Sequence, residues 1–245
     1  MLAAFPLPAL ATLGWWSLVD RPVAWRDADW SSAGLLPAPE ADEEAAIYVL
    51  AARTGGLKGA LSVHSWIVLK RPDAREYERW DKVGWGMPVR RNSRPADGRW
   101  YSNAPIVVKS ARGQQAERLL PKFEAAIADY PFAQAGGYRI FPGPNSNSFV
   151  AHVLREVPEF GAVLPSHAVG RDYRPGFVSL SSTPDWTDFH LTLGGVIGFA
   201  AGRLSGIEVH LAGLVAGLDL ARPALKIPGL GDLPLWPLAE ARGGS

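Results

Sequence analysis

The chain has 245 residues, 47% of them hydrophobic and 20% charged, an ordinary globular composition long enough for one large core. Its formal net charge of +1 lacks the basic footprint of a nucleic-acid binder. The absence of cysteine excludes disulfides, thiolate catalysis and thiolate metal sites.

Residues 1–19 carry no charged side chain, which just reaches the length of a membrane span. Pro6, Pro8 and Gly14 weaken a helix there, and no Lys or Arg precedes the run as in a secretory signal. Two readings stay open: a membrane anchor or export segment, or an apolar arm docked on the protein. Residues 20–44 have no period and read as irregular.

Ile47-Tyr48-Val49-Leu50 has strand length. Residues 60–70 read as a strong strand, with Leu61, Val63, Ser65, Ile67 and Leu69 on one face and Ser62, His64, Trp66, Val68 and Lys70 on the other. Further strands are expected at 77–85 and 106–108, and three sequential strands with short connections predict an antiparallel sheet. The basic run Arg90, Arg91, Arg94 and Arg99 is broken by turn formers and reads as a solvated loop, the other reading being an anion or headgroup contact.

Helical spacing then sets Ala116, Leu119, Leu120, Phe123, Ile127 and Tyr130 on one face, with Pro121 marking a kink or the first turn of a second piece. A short strand at 138–141 leads into Pro142-Gly143-Pro144-Asn145-Ser146-Asn147. A second helix follows through Phe149, Val150, Val153, Leu154 and Val157, stopped by Pro158. Residues 189–220 are Gly-rich and self-similar, with His190-Leu191-Thr192-Leu193-Gly194-Gly195-Val196 echoed by His210-Leu211-Ala212-Gly213-Leu214-Val215. They predict two strands of one hairpin, turning at 203–206, with 223–245 lying along the surface. The chain thus divides into an apolar segment and arm at 1–45, an α+β core at 46–188, and a hairpin with its tail at 189–245.

Asn145 or Asn147 suits the cap of the helix that follows, which sets Ser146 at or near its N-terminus. Free N–H groups and the positive dipole end favour an anion there and can activate a nucleophile. The plain alternative is a structural turn and cap. His64, in mid-strand beside Trp66, is a candidate base or else a structural histidine. No histidine spacing suggests a metal site, and no metal or cofactor is expected.

Val63-His64-Ser65-Trp66-Ile67, Val83-Gly84-Trp85-Gly86, the stretch from Pro142 to Val150, Gly170-Arg171-Asp172-Tyr173 and the stretch from Arg222 to Gly231 resemble a bacterial family known as domain of unknown function 3750. That family name implies no activity. More remotely, a strand His followed by a nucleophile flanked by Asn at a helix start is similar to circularly permuted papain-like hydrolases, such as NlpC-type peptidases and lecithin:retinol acyltransferases. The strands and helices read above give an α+β fold, an antiparallel sheet packed on helices with a β-rich C-terminal extension, and this resemblance implies that the core is permuted papain-like. It also implies His64 as base and Ser146 in the place of the nucleophilic Cys, with Asp81, Glu78 or Asp172 orienting His64. Asn145, Asn147 and Trp66 are then candidates for substrate binding.

Serine in place of cysteine leaves two functions open. One is a non-catalytic binding or scaffolding module of the cell envelope. The other is a serine-nucleophile hydrolase or acyltransferase acting on envelope peptides or lipid acyl groups. The expected partner is a membrane or cell-envelope component and not nucleic acid, with oligomeric state open. The expected location is membrane-associated or periplasmic, with cytoplasmic as the alternative.

Overall fold

The structure is a computed structural model and describes residues 2–236. Two antiparallel sheets and three α-helices make it an α+β protein. The first sheet is built from β1 (Ala46–Arg53), β2 (Val63–Lys70), β3 (Glu78–Lys82), β4 (Val89–Arg91) and β5 (Ile106–Arg112), in the order β4-β3-β2-β1-β5. β1 and β2 pair along their whole length, Ala46 opposite Lys70 and Arg53 opposite Val63.

Both faces of this pair are covered. On one face the helices α2 (Gly113–Ala128) and α3 (Ser146–Glu156) bury Phe123, Phe149, Val150 and Val153 against Ile47, Val49, Val63 and Ile67. On the other face Tyr48, Leu50, Trp66 and Val68 pack with Val83 and Trp100, and Trp30 and Leu36 of the irregular arm lie over them. Each fully buried Phe contributes about 1.5–3 kcal/mol through burial alone.

Four details differ from the sequence reading. The strand expected at 106–108 runs to Arg112, and it pairs with β1 on the far side of the sheet from β3. The basic run is not all loop: Arg90 and Arg91 belong to edge strand β4, where charge discourages further pairing. Residues 138–141 form no strand, because the Arg139 N–H turns back to the Pro144 carbonyl. α2 continues through Pro121, which faces solvent together with Glu117, so the carbonyl that lost its partner meets water.

The apolar N-terminal segment is a docked helix, α1 (Pro6–Ser17). Trp16 is buried, and its indole N–H donates to the Gly56 carbonyl at 2.9 Å. Arg53 lies over the rings of Trp15 and Trp16 and donates to the carbonyls of Gly59, Ala60, Gly229 and Leu230. Among the described residues, no helix is long and apolar enough to cross a membrane.

The second sheet is a meander of β6 (Val178–Ser182), β7 (Asp188–Leu193), β8 (Ile197–Gly202), β9 (Gly206–Leu211), β10 (Leu214–Asp219), β11 (Ala224–Ile227) and β12 (Gly231–Pro234), each paired with the next in sequence. The hairpin expected at 189–220 is therefore four strands. Each copy of the sequence echo is itself a hairpin, since Gly194-Gly195 and Ala212-Gly213 all have positive φ and make the tight turns. The tail expected on the surface adds β11 and β12, and its residues 237–245 lie outside the described ones.

The inward face of this sheet is charged. Glu208 accepts from Arg171 and Lys226, and from His210 Nε2 at 2.8 Å. His210 Nδ1 lies 3.2 Å from Asp172. Burial pulls the His210 imidazole down, but the charge of Asp172 and bonds to Asp172 and Glu208 outweigh it and raise the group to about 9.

Candidate functional site

The site is assembled from the start of β2, the end of β3 and the turn that opens α3. The peptide bonds before Pro142 and Pro144 are cis. Asn145 is the N-cap: its Oδ1 accepts the N–H groups of Asn147 and Ser148 at 2.9 and 3.0 Å. Ser148 Oγ in return accepts the Asn145 N–H at 2.7 Å, closing a capping box. Asn145 Nδ2 donates to the carbonyls of Ile140 and Val169. Gly170 makes room for this side chain, since at φ +92 its Cβ would sit 2.1 Å from Asn145 Nδ2.

Asn147 ties α3 to β2. Its Nδ2 donates to the Val63 and Val169 carbonyls, both at 2.9 Å, and its Oδ1 accepts from Ser65 Oγ at 2.8 Å. The side-chain amides of Asn145 and Asn147 are thus engaged by the chain itself, while both residues line the cavity into which Ser146 also faces. Ser146, between them, is 4% exposed. Among the described residues, neither its hydroxyl nor its N–H finds a partner. The expected row of free N–H groups at this helix start is therefore reduced to that of Ser146.

His64 leaves β2 on the face opposite Ser65, as strand alternation requires. Its ring stacks on Trp100, with centroids 3.6 Å apart and planes 2° from parallel. Its Nε2 lies 2.8 Å from Asp81 Oδ1. Arg79 clamps the same carboxylate with Nε at 2.7 Å and Nη2 at 2.9 Å, and lies 4.0 Å over the Trp66 ring. Burial lowers the His64 imidazole and outweighs the pull of Asp81. Burial raises the Asp81 carboxyl, but the Arg79 charge and the bond from His64 bring it down to about 2. The pair is a neutral imidazole donating from Nε2 to a carboxylate, which leaves Nδ1 as the atom able to accept a proton.

Of the three candidates to orient His64, Asp81 is the one bonded to it. Pairing of Val68 with Arg79 puts Arg79 and Asp81 on the face of His64 and Trp66. Glu78 falls on the opposite face, where it pairs with Arg71 and Arg91. Asp172 is engaged by His210 beneath the second sheet. Trp66, expected to bind substrate, is instead fully buried under Arg79, its indole N–H donating to the Ala96 carbonyl. Arg79 and Trp100 were not singled out from the sequence. The alternation Arg79-x-Asp81 was visible there, but only the strand register says which face it joins.

A cavity of about 360 Å³ opens where β2 begins, before the β2–β3 ladder starts at Ile67. Residues from both faces of the sheet reach it there, so His64 and Ser146 border one space without hydrogen bonding to each other. Its wall is mainly apolar and aromatic, with Leu61, Trp85, Tyr138 and Phe141 prominent and Leu214 contributed by the second sheet. Among the described residues that line it, Lys58 is the charged side chain.

No curated protein and no solved structure matches the chain. A family model described as protein of unknown function (DUF3750) matches residues 44–173, a stretch that contains His64, Asp81 and Ser146. The chain belongs to the DUF3750 family.

Proposed function

We propose that this protein is a non-catalytic binding module of the cell envelope whose cavity takes a ligand with an apolar body and a carbonyl or carboxylate end, as on a lipid acyl group or an envelope peptide. The observation that carries this reading is the wall itself: apolar and aromatic side chains surround the unpartnered hydroxyl and N–H of Ser146. Two donors at a helix start suit an acceptor oxygen. His64, stacked on Trp100 and bonded to Asp81, is held as a structural group would be. Exposed Leu7, Leu10 and Leu18 of the N-terminal segment support contact with a membrane surface. A permuted papain-like core accords with a helix that opens on Ser146 and rests on the His64 strand.

The test is titration with octanoate, read by tryptophan fluorescence. Saturable binding that weakens about tenfold in Ser146→Ala supports the module. No binding to the folded protein removes it.

A second reading is favoured by one fact: Ser146 and His64 border the same cavity, and His64 is bonded to the buried Asp81. In a serine hydrolase or acyltransferase, Ser146 Oγ attacks the acyl carbonyl while His64 Nδ1 takes its proton and returns it to the leaving group. The Ser146 N–H then holds the oxyanion. Fluorophosphonate labelling of the wild type, lost in Ser146→Ala and His64→Ala, selects this reading. A folded wild type that stays unlabelled selects the binding module.

A further inference from the structure

A second cavity, of about 310 Å³, lies at the other end of α3, between that helix and the second sheet. Its wall includes Arg155 and Arg174, both half-buried. Neither guanidinium makes an ion pair among the described residues: Arg155 Nη1 reaches only the Arg171 carbonyl, at 3.5 Å, and the buried Arg174 Nε has no partner. Burial and then the charge of Arg174 push the Arg155 guanidinium below its usual range, and the charges of Asp172 and Glu156 offset this only in part.

Three carboxylates line the same cavity without pairing directly with either guanidinium; the charge of Asp172 partly offsets both, and that of Glu156 partly offsets Arg155. Asp188 accepts the N–H groups of Leu204 and Ser205 at 2.7 and 2.8 Å. Asp172 serves His210 and lies 3.8 Å from Arg171, which also binds Glu208. Glu156 is exposed at the rim. Removing two guanidiniums from water with no directly paired anion carries a desolvation cost that a bound anion would relieve.

Neutral donors border the same space. Ser205 Oγ and His190 Nε2 are 2.9 Å apart, and Ser181 and Ser182 line the β6 side. Burial lowers His190 to about 4, so it brings a hydrogen bond and no charge. The wall also includes Arg171, the carboxylates of Glu156, Asp172 and Asp188, and Thr183, with apolar surface from Ala151, Leu154, Ala162 and Leu204.

We propose that this cavity is an anion site for a phosphate monoester on a small apolar body, held by Arg155 and Arg174 with the serine hydroxyls. Two guanidinium forks and several hydroxyls offer more donors than the two oxygens of a carboxylate need, and a phosphate group has enough acceptors to meet them. The inference is independent of the Ser146 cavity.

Phenyl phosphate titrated into the full chain, followed by calorimetry with phenol as the uncharged control, tests it. Saturable binding of phenyl phosphate and none of phenol is expected. Arg174→Met and Arg155→Met should each weaken it at least about tenfold, while Ser146→Ala leaves it unchanged. If a Met variant does not fold, Arg174→Lys, which keeps the charge and loses the fork, should still weaken binding. Sedimentation with vesicles containing phosphatidic acid separates the two sources of the group: binding lost in the Arg variants assigns a lipid headgroup, and none assigns a free ester. The proposal is overturned if phenyl phosphate binds no better than phenol, if the Arg variants bind as wild type does, or if only Ser146→Ala abolishes binding.

Discussion

β1 and β2 are buried on both faces, whereas β7 to β10 bury one face and leave Phe189, Phe199, Ile207 and Val209 between 36% and 46% exposed. The covered faces differ in kind as well. Around β1 and β2 they are aliphatic and aromatic, with the Arg79–Asp81–His64 group set in one corner. Under the second sheet the covered face centres on Glu208 and the cations around it. Apolar burial stabilises roughly in proportion to area, while a buried ion network roughly balances its desolvation cost and instead fixes geometry. The first sheet therefore carries stability, and the second carries an arrangement of charge that responds to pH.

The strongest way to break this comparison is a matched truncation. Phe123→Ala, at a position 0% exposed, should cost about 3–5 kcal/mol in urea unfolding. Phe199→Ala, at 39% exposure, should cost under about 1 kcal/mol. Equal costs would mean that the outer face of the second sheet is covered in solution.

Next in size is a divergence with pH. His210 is raised from 6.5 to about 9, so its contribution is complete below pH 6.5 and disappears as pH rises through about 9, a loss on the order of 3 kcal/mol. His64 is lowered, so it costs nothing above pH 6.5 and destabilises the fold as pH falls below that value. Hydrogen exchange, corrected for its intrinsic pH dependence, should show β9 and β10 losing protection between pH 6.5 and 9.5 while β1 and β2 keep theirs. Uniform behaviour across both sheets would contradict the assignment.

The smallest effect sharpens the boundary between structure and site. Asn145→Ala removes the cap of α3 and should cost about 1–2 kcal/mol by thermal unfolding. A far larger loss would show that the turn also holds the second sheet in place.

Much of the first sheet was legible because β-branched and aromatic runs of strand length have few other homes, as at residues 63–70. α3 was legible for a local reason, with Asn145 to start it and Pro158 to stop it. β4 was not, because three residues carrying Arg90 and Arg91 have neither length nor hydrophobic alternation. The second sheet was undercounted because the turns inside the two echoed segments are only two or three residues long, so each pair of strands read as one. At the site, the residues were legible singly and their relations were not. That His64 meets Asp81 rather than Glu78 depends on how β2 and β3 align, and the cleft between α3 and the strands is a product of packing.

The order of strands within each sheet also bears on how the chain assembles in time. In the second sheet every strand has its partner next in sequence, so each hairpin closes a short loop and the sheet can grow one strand at a time. In the first, β5 must return past β4, β3 and β2 to pair with β1. That long closure has to be made before the β5 edge yields any pairing energy. Topology thus predicts that the β1–β2 hairpin forms first and that β5, with the helix that follows it, joins last, an order that φ-values at Val49 and Ala111 would test.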